Sequence, residues 1–355
     1  MKRVNVAIIG AGHAATTMHI PAWKKLRQVN LTAVCDIDEE RVKSVAKAWR
    51  IPHAYTDFDE LLEREENAII DICTPPSTHA PLSVKALRTG HNVVLEKPMA
   101  MSYDECKKIM DEYQRRKGEV KLCVVHNFLF TRPLLNIKSI INKKGLDILS
   151  VDVIMLHTPD DEMISDRTHW VHKLPGGRFG ENLIHPIYVL RNLIGKLNLR
   201  DVFVSKRGHY DWVNYDELHA TFNSGDKYGT IYISFNSPRT TNAPLSVRVY
   251  GKQLIINYDG SNLALINQGP LLQGKMHKVK DNLQHIIQII GAIVNEAIIT
   301  ITGKSTSSHH YLFSALVEAI LENKEIPYTP EEAYDATITF LEVLQRLNAH
   351  LGEKK

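Results

Sequence analysis

The sequence lacks the features of a secreted, zinc-binding or nucleic-acid-binding protein. It contains only four cysteines, 38, 33 and 17 positions apart, which is neither zinc-ligand spacing nor a compact disulfide framework: Cys35, Cys73, Cys106 and Cys123. A reducing, cytoplasmic environment is therefore expected. The 43 Lys and Arg residues nearly balance the 40 Asp and Glu residues, and the basic side chains are spread along the chain. This charge distribution gives no electrostatic support for a nucleic-acid partner.

Long apolar runs are also lacking. The most apolar stretch, 286–301, is interrupted by Gln288, Asn295 and Glu296 and is shorter than the roughly 20 residues that span a bilayer. It predicts a buried or subunit-contacting helix, and we expect no membrane partner. Residues 1–10 resemble a strand running into a turn and not a cleavable signal peptide. With 355 residues, 44% of them hydrophobic, the chain has material for about two globular domains.

The first domain is predicted at 1–127 from a regular alternation of strands and helices. Helix-period segments such as 39–49, 82–88 and 103–116 separate short apolar runs at 4–9, 31–35, 69–73, 93–95 and 122–125. Continuous apolar strands are typical of sheets covered on both faces. The pattern predicts a Rossmann domain, which is a doubly wound parallel α/β sheet.

The second domain is predicted at 128–355, including the C-terminal helices. Strands are expected at 149–156, 202–205, 218–222, 230–235, 245–250 and 254–258, several of them joined by tight turns. Such turns connect antiparallel strands. Helices are expected at 183–194, 311–322 and 331–347. The pattern indicates an α+β domain with an open, mainly antiparallel sheet.

A glycine-rich turn follows the first strand and indicates dinucleotide binding. In the G-x-G-x-x-A pattern, Gly10 permits the turn, Gly12 lets the backbone approach a pyrophosphate, and Ala15 allows close packing of helix on strand. His13 and Ala14 complete the helix start, whose backbone N–H groups bind phosphate.

An acidic residue at the end of the second strand strengthens this interpretation and bears on cofactor choice. Asp36 follows the turn by about 20 residues, where a carboxylate accepts both hydroxyls of an adenosine ribose. A carboxylate there repels a 2′-phosphate, and neither Ile37 nor Asp38 is an arginine that could receive one. NAD is therefore expected in preference to NADP. Asp38 is predicted to cap the helix that begins near Glu39.

Two further motifs stand at the carboxyl ends of predicted parallel strands, where open α/β sheets bind their ligands. The first is the segment 73–79, from Cys73 to His79, and the second is Glu96-Lys97-Pro98. At that edge Lys97 can direct its ammonium toward a substrate oxygen. Pro98 can hold the bend, for which a cis peptide is one option.

Together these motifs carry a resemblance to a known family. The segments 10–15, 55–62, 74–79 and 90–98 resemble the glucose-fructose oxidoreductase, inositol dehydrogenase and rhizopine-catabolism family over the whole first domain. The resemblance implies a second domain built on an open antiparallel sheet. It also implies oxidation or reduction of one carbinol carbon of a sugar, cyclic polyol or related compound. Many members form dimers or tetramers through their sheets, so a homo-oligomer is expected.

The resemblance also implies which residues surround the cofactor and the reacting hydroxyl. Besides the glycine turn and Asp36, the cofactor contacts are expected at Thr74, Pro75, Pro76, His79, Glu96, Lys97 and Asn127. Lys97 is expected to stabilise the developing alkoxide, and a second catalytic segment usually contains two glycines, then Asp and, four residues later, His. Here His185 matches, as the base that takes the hydroxyl proton.

This second segment departs from the family pattern. Glu181 stands where Asp is usual, and it is expected either to orient His185 or to contact substrate. Pro186 requires that His185 lie at the start of its helix. Tyr188 lies near a position where many relatives carry another Asp, and Leu129 stands where Arg is frequent. These departures bear on the substrate more than on the reaction.

One histidine pair invites a metal interpretation. His169 and His172 flank Trp170 and Val171, but no third ligand with suitable spacing accompanies them, so no metal is expected. We interpret His169 and Trp170 as part of a substrate-pocket loop.

The sequence thus predicts an NAD-dependent oxidoreductase that acts on a sugar or polyol. Two alternatives remain open. One is an NAD-dependent glycosidase that uses transient oxidation, and the other is a non-catalytic dinucleotide sensor with the same fold.

Overall fold

The computed structural model describes residues 2–237, 244–267 and 307–352, together with isolated helical positions between 283 and 294. Its contacts group the chain into two units. The first unit comprises Met1–Thr131 and Thr306–Ile338, and the second comprises Arg132–Ser305 and Thr339–Lys355.

The described strands are β1 Val4–Ile9, β2 Val29–Cys35, β3 His53–Tyr55, β4 Ile69–Ile72, β5 Asn92–Leu95, β6 Leu122–Val124, β7 Ile148–Leu156, β8 Asn198–Ser205, β9 Glu217–Ser224, β10 Lys227–Ser234, β11 Leu245–Gly251, β12 Leu254–Tyr258 and β13 Leu263–Asn267. The described helices are α1 Ile20–Lys24, which continues a π-helical turn at Ala15–His19, α2 Glu39–Trp49, α3 Phe58–Arg64, α4 His79–Arg88, α5 Tyr103–Arg115, α6 Arg132–Lys144, α7 Glu162–Ser165, α8 Arg178–Asn182, α9 Ile184–Ile194, α10 Ser308–Leu321 and α11 Pro330–Gly352.

The sheet of the first unit confirms the predicted Rossmann fold. Within the described residues it has six strands, all parallel, in the order β3-β2-β1-β4-β5-β6. This order reverses direction between β1 and β4, and the crevice at such a switch point is where these sheets bind ligands. Every residue of β4 and nearly all of β5 are buried, as expected for strands covered on both faces.

Predicted capping residues stand at the N-terminal starts of three helices. Asp38 accepts a hydrogen bond from the Arg41 N–H and caps α2. Ser102 accepts one from the Glu105 N–H at the start of α5, and the Glu105 carboxylate returns to the Ser102 hydroxyl. Thr329 forms the same reciprocal capping box with Glu332 at the start of α11. These local signals therefore locate helix starts correctly.

The sheet of the second unit is mainly antiparallel, also as predicted. Its seven described strands run in the order β13-β12-β11-β7-β10-β9-β8, and the β7–β10 pair is parallel. Burial alternates along the strands, because one face of the sheet packs against α9. The closest approach is at Gly229, where a Cβ would lie 2.8 Å from Leu190 and 3.0 Å from Ile194. Only glycine leaves room for the helix there.

The division of the chain differs from the boundary expected at 127 in two respects, because the first unit extends to Thr131 and also includes a later segment. The segment 306–338, expected in the second domain, packs with the first unit. The buried indole of Trp23 stacks on the ring of Phe313 in α10, with centroids 4.0 Å apart and planes inclined by 6°. Burying two large aromatic rings accounts for this packing.

No helix among the described residues is both long and apolar enough to cross a membrane. Most of the apolar stretch 286–301 lies outside the described residues.

Candidate active site

The glycine turn of the first unit has the geometry that dinucleotide binding requires. Gly10 has φ +91°, and a Cβ there would lie 3.0 Å from a Thr74 methyl and 3.1 Å from the Cys73 backbone. Its N–H donates to the Cys35 carbonyl at 2.8 Å. The turn is thus pressed between the ends of β2 and β4, and glycine is needed there for the protein's own structure.

Gly12 differs from Gly10 in a way that fits a bound pyrophosphate. Its backbone conformation is open to any residue, and a Cβ there would meet no protein atom within 4 Å. The protein's own packing therefore does not require glycine at this position. A phosphate close to the backbone at the start of the helix would require it. The residues of the turn, including His13, Ala14 and Ala15, accordingly fit a dinucleotide.

Asp36 lies beside this turn at the end of β2. Its carboxylate accepts the Ala11 N–H at 2.7 Å and the Asp38 N–H at 3.0 Å. Sequence reasoning missed Arg41, whose guanidinium approaches Asp36 at 3.3 Å and Asp38 at 3.0 Å from the first half of α2. Neither Ile37 nor Asp38 is an arginine, but the first turn of α2 supplies one in Arg41.

The two motifs beyond β4 and β5 are joined by a buried histidine. The His79 ring lies 2.8 Å from the Pro98 carbonyl through Nδ1 and 3.0 Å from the Thr74 carbonyl through Nε2. Burial lowers the pKa of His79, although both of its ring nitrogens face carbonyl oxygens. The segment containing Thr74, Pro75 and Pro76 is thereby tied to the Glu96-Lys97-Pro98 turn, whose Lys97–Pro98 peptide is cis.

Glu96 and Asn127 mark the ends of β5 and β6. The Glu96 carboxylate is buried and accepts the backbone N–H of Lys97 at 3.0 Å. Asn127 donates to the Ser308 hydroxyl of α10 at 3.3 Å. Of the residues expected at the cofactor, the structure therefore brings those of the first unit to one edge of the sheet, at the carboxyl ends of its strands.

The predicted second catalytic segment occupies α8 and the start of α9 in the second unit. Pro186 is the third residue of α9, so the proline falls in the first turn and His185 lies near the helix start, as predicted. His185 is mostly buried, and its Nδ1 lies 2.8 Å from the Tyr188 hydroxyl. The residue that departs from the family pattern is thus a hydrogen-bond partner of the expected base.

Glu181 has an arginine partner that sequence reasoning missed. Arg178 donates to the Glu181 carboxylate at 2.9 Å and to the Asp161 carboxylate at 3.0 Å. His157 lies 3.3 Å from Asp161, and a hydrogen bond from His157 together with the charge of Arg178 lowers the Asp161 pKa despite its partial burial. Direct orientation of His185 by Glu181 stays a prediction.

His169 and Trp170 lie in the loop before α8. The His169 ring accepts the Val171 N–H at 3.4 Å and so begins a single 3₁₀ turn, Trp170–Lys173. Trp170 is about half exposed. His172 lies 3.1 Å from the Asp166 carbonyl through Nε2, so the two histidines serve the loop's own hydrogen bonds. The part of this loop in substrate binding stays a prediction.

Comparison with known proteins agrees with this geometry. Residues 4–125 match the model of a family described as an oxidoreductase family with an NAD-binding Rossmann fold. The chain is 26% identical over 200 residues to an oxidoreductase of Formosa agariphila, across 55% of this chain and 62% of that protein. It is 27% identical over 212 residues to an alpha-N-acetylgalactosaminidase of Shewanella oneidensis, across 54% of this chain and 45% of that protein. The matched region thus spans less than two thirds of either relative.

Similarity to solved structures extends over nearly the whole chain. The WlbA dehydrogenase of Bordetella pertussis, solved with NADH and UDP-GlcNAcA, has a TM-score of 0.75 against this chain, with 17% identity over 97% of this chain and 95% of that one. At that identity the likeness shows a shared fold. Residues 4–125 are thus similar to the NAD-binding Rossmann domain of the oxidoreductase family that is named for glucose-fructose oxidoreductase and inositol dehydrogenase.

Proposed function

We propose that this protein is an NAD-dependent oxidoreductase that transfers hydride between nicotinamide and a carbinol carbon of a sugar or cyclic polyol. One observation carries the proposal: the Gly10 turn, Asp36, Thr74 and Lys97 all lie at the carboxyl ends of the parallel strands around the switch point. A dinucleotide and its reacting group bind at such an edge. The relative that acts on an N-acetylgalactosaminide and the fold neighbour solved with a UDP-sugar support a carbohydrate substrate.

The cofactor contributes a hydride acceptor and donor, and the protein holds it. Gly10, Gly12 and the N–H groups at His13, Ala14 and Ala15 would hold the pyrophosphate. Asp36 would accept the ribose hydroxyls in exchange for its bond to the Ala11 N–H. The segment 74–79, Glu96 and Asn127 would line the rest of the cofactor.

The chemistry of the substrate falls to Lys97 and His185. Lys97 donates a hydrogen bond that stabilises the developing alkoxide, and His185 accepts the hydroxyl proton as hydride leaves. The Tyr188 hydroxyl at 2.8 Å orients the His185 ring. Glu181, His169 and Trp170 are proposed to contact the substrate. Arg178 balances the charge of Glu181 only in part, because it is shared with Asp161, and these polar side chains offer hydrogen-bond partners to a hydroxylated ligand.

Asp36 favours NAD over NADP, because its carboxylate would repel a 2′-phosphate. Arg41 is the residue through which NADP could still bind, since its half-exposed guanidinium already lies against Asp36. The cofactor preference is decided by comparing kcat/KM measured with NAD and with NADP. Higher kcat/KM with NADP would reverse the preference assigned to Asp36.

The deciding experiment is a screen of the purified protein with NAD and NADP against inositols, aldoses, alditols and aryl glycosides, followed by absorbance of the reduced cofactor. NAD-linked turnover of a polyol or sugar supports the proposal. Tight NAD binding without turnover of any alcohol or glycoside would instead indicate a sensor.

A glycosidase that uses transient oxidation is the second candidate, because a curated relative is an alpha-N-acetylgalactosaminidase. In that reaction NAD is regenerated within each cycle. Release of nitrophenol from an aryl glycoside without accumulation of NADH would identify it in the same screen.

Self-association through the sheet of the second unit is also proposed. The face of that sheet opposite α9 carries exposed aromatic side chains, including Phe203 and Tyr228, and a stacked pair, His219 and Tyr232, with ring centroids 4.2 Å apart. Apolar rings exposed together are typical of interfaces. Light scattering should give the mass of a dimer or tetramer, and Phe203→Asp should reduce it.

A further inference from the structure

A buried histidine of the first unit lies between two carboxylates. His19 is fully buried on the π-helical turn that precedes α1. Its Nδ1 is 2.9 Å from the Asp71 carboxylate in β4, and its Nε2 is 2.8 Å from the Glu96 carboxylate at the end of β5. His19 and Asp71 lie outside the glycine turn, and the reaction proposed above assigns no role to His19.

When both carboxylates are ionised, both contacts are satisfied only by a doubly protonated ring. A neutral imidazole has one N–H, so its second nitrogen would face a carboxylate oxygen lone pair to lone pair. Each carboxylate also accepts an N–H from elsewhere: Trp23 donates to Asp71 at 2.7 Å, and the Lys97 backbone donates to Glu96 at 3.0 Å. These bonds favour acceptor-only carboxylates and leave the proton on the imidazole.

The remaining neighbours of His19 do not compete for this charge. Burial raises the pKa of the Cys73 thiol to about 12, so that side chain is neutral. Burial and the charge of His19 lower the pKa of His309 in α10 to about 4, and its neutral ring lies 5.2 Å from that of His19. Phe313 lies at the same centroid distance. Lys97, which follows Glu96, is the other cation at this edge.

A proton fits between His19 and Glu96 better than a metal ion does. Two ligand atoms of a tetrahedral zinc ion, each about 2.0–2.1 Å from the metal, lie about 3.3 Å apart. The observed 2.8 Å between Nε2 and Oε1 is a charge-assisted hydrogen-bond distance.

We propose that His19 is a buried imidazolium that positions Glu96 and, through Glu96, the backbone of Lys97. His19 is thus a positioning residue for the reaction proposed above. The chain of contacts runs from Trp23 through Asp71, His19 and Glu96 to the Lys97 N–H, and it spans the edges of β4 and β5. The role of Lys97 rests on the proposed function, whereas the charge on His19 does not.

The titration behaviour of Glu96 follows from this arrangement. Burial would raise the pKa of Glu96, but the hydrogen bond and charge of His19 lower it to about 2. Burial would likewise lower the pKa of His19, but Asp71 raises it well above its usual range. Both groups are therefore ionised at neutral pH. Without His19, burial is opposed chiefly by the charge of Lys97, so the pKa of Glu96 should rise.

The first test is ¹⁵N NMR of the full-length protein labelled at histidine, with no ligand present. We expect both ring nitrogens of His19 to give the shifts of a protonated imidazolium throughout pH 6–8, identified by their loss in a His19→Gln variant. An unprotonated ring nitrogen of His19 at pH 7 would overturn the proposal, whatever the substrate screen finds.

The second test follows the Lys97 amide in protein labelled with ¹⁵N-lysine. Its shift should be constant from pH 8 to 5 in the wild type and should titrate in His19→Gln, with amide exchange at least tenfold faster. His53→Gln, which removes a half-exposed histidine from Glu65, is the matched control and should leave Lys97 unchanged. If His19→Gln fails to fold, the double variant His19→Gln/Asp71→Asn replaces it, because it removes one of the two uncompensated carboxylates. A Lys97 amide that behaves alike in variant and wild type would contradict the positioning role.

Discussion

Alanine at Gly10 and at Gly12 should separate protein stability from cofactor binding. At Gly10 the positive φ costs an L-residue about 1–2 kcal/mol, and the contacts of a Cβ at 3.0–3.1 Å with Thr74 and Cys73 cost about 1–3 kcal/mol more. Gly10→Ala should therefore lower the melting temperature by about 5–10 °C. It should also weaken NADH binding, because the whole turn shifts.

Gly12→Ala should have the opposite profile. The backbone there is unstrained and a methyl group meets no protein atom, so the loss of unfolded-state entropy makes the change neutral or stabilising by about 0.4–1 kcal/mol. The methyl group would occupy the space of the pyrophosphate, so NADH affinity should fall at least tenfold, about 1.4 kcal/mol. Thermal unfolding and titration of NADH fluorescence measure the two effects separately.

Gly118→Ala is the matched control for the strain at Gly10. Gly118 has φ +95°, close to the +91° of Gly10, but a Cβ there meets nothing within 4 Å. Its variant should show the φ cost alone, with unchanged NADH affinity. A Gly12→Ala variant that binds NADH as well as the wild type would refute the placement of the pyrophosphate. Equal destabilisation by Gly10→Ala and Gly118→Ala would refute the importance of the contact with Cys73.

Three further predictions address the chemistry, the cofactor and the packing of the first unit. Lys97→Ala and His185→Ala should each lower kcat at least tenfold, with NADH affinity nearly unchanged; normal turnover in both would contradict their roles. Asp36→Ser should raise the ratio of kcat/KM with NADP to kcat/KM with NAD, because it removes the repulsion of a 2′-phosphate. A constant ratio would contradict the cofactor preference assigned to Asp36. Phe313→Ala should lower the free energy of unfolding in urea by about 3–5 kcal/mol and change Trp23 fluorescence. An unchanged free energy of unfolding would contradict the packing of α10 against Trp23.

The features that the sequence predicted well are those that local chemistry determines. The Gly10 turn, the Asp38 cap and the position of Pro186 in the first turn of α9 each depend on residues within a few positions of one another. The alternation of strands with helices, and later of strands with tight turns, predicted the parallel and the antiparallel sheet for the same reason. The short strand β3 was missed because three residues show no periodicity, whereas helix α6 has apolar residues at 134, 137, 140 and 141 and was open to prediction.

Contacts between distant residues were beyond sequence reasoning. His19 and Asp71 are 52 positions apart, and His19 and Glu96 are 77 apart. The only signal was Asp71 itself, a carboxylate in the otherwise apolar run of β4. The packing of 306–338 with the first unit likewise depends on the Trp23–Phe313 stack, and an amphipathic helix pattern does not say which sheet the helix covers. Arg178 and Glu181, by contrast, are three positions apart, and their pairing was open to prediction.

Two departures from the family pattern in the second unit, Glu181 and Tyr188, each have a polar partner nearby. Glu181, which stands where Asp is usual, accepts a hydrogen bond at 2.9 Å from Arg178, which also donates to Asp161. Where Tyr188 lies near another usual Asp, its hydroxyl takes the hydrogen-bonding role toward His185 Nδ1. A phenol at this position contacts the imidazole without placing a carboxylate beside it. That these departures change the substrate and not the reaction stays a prediction.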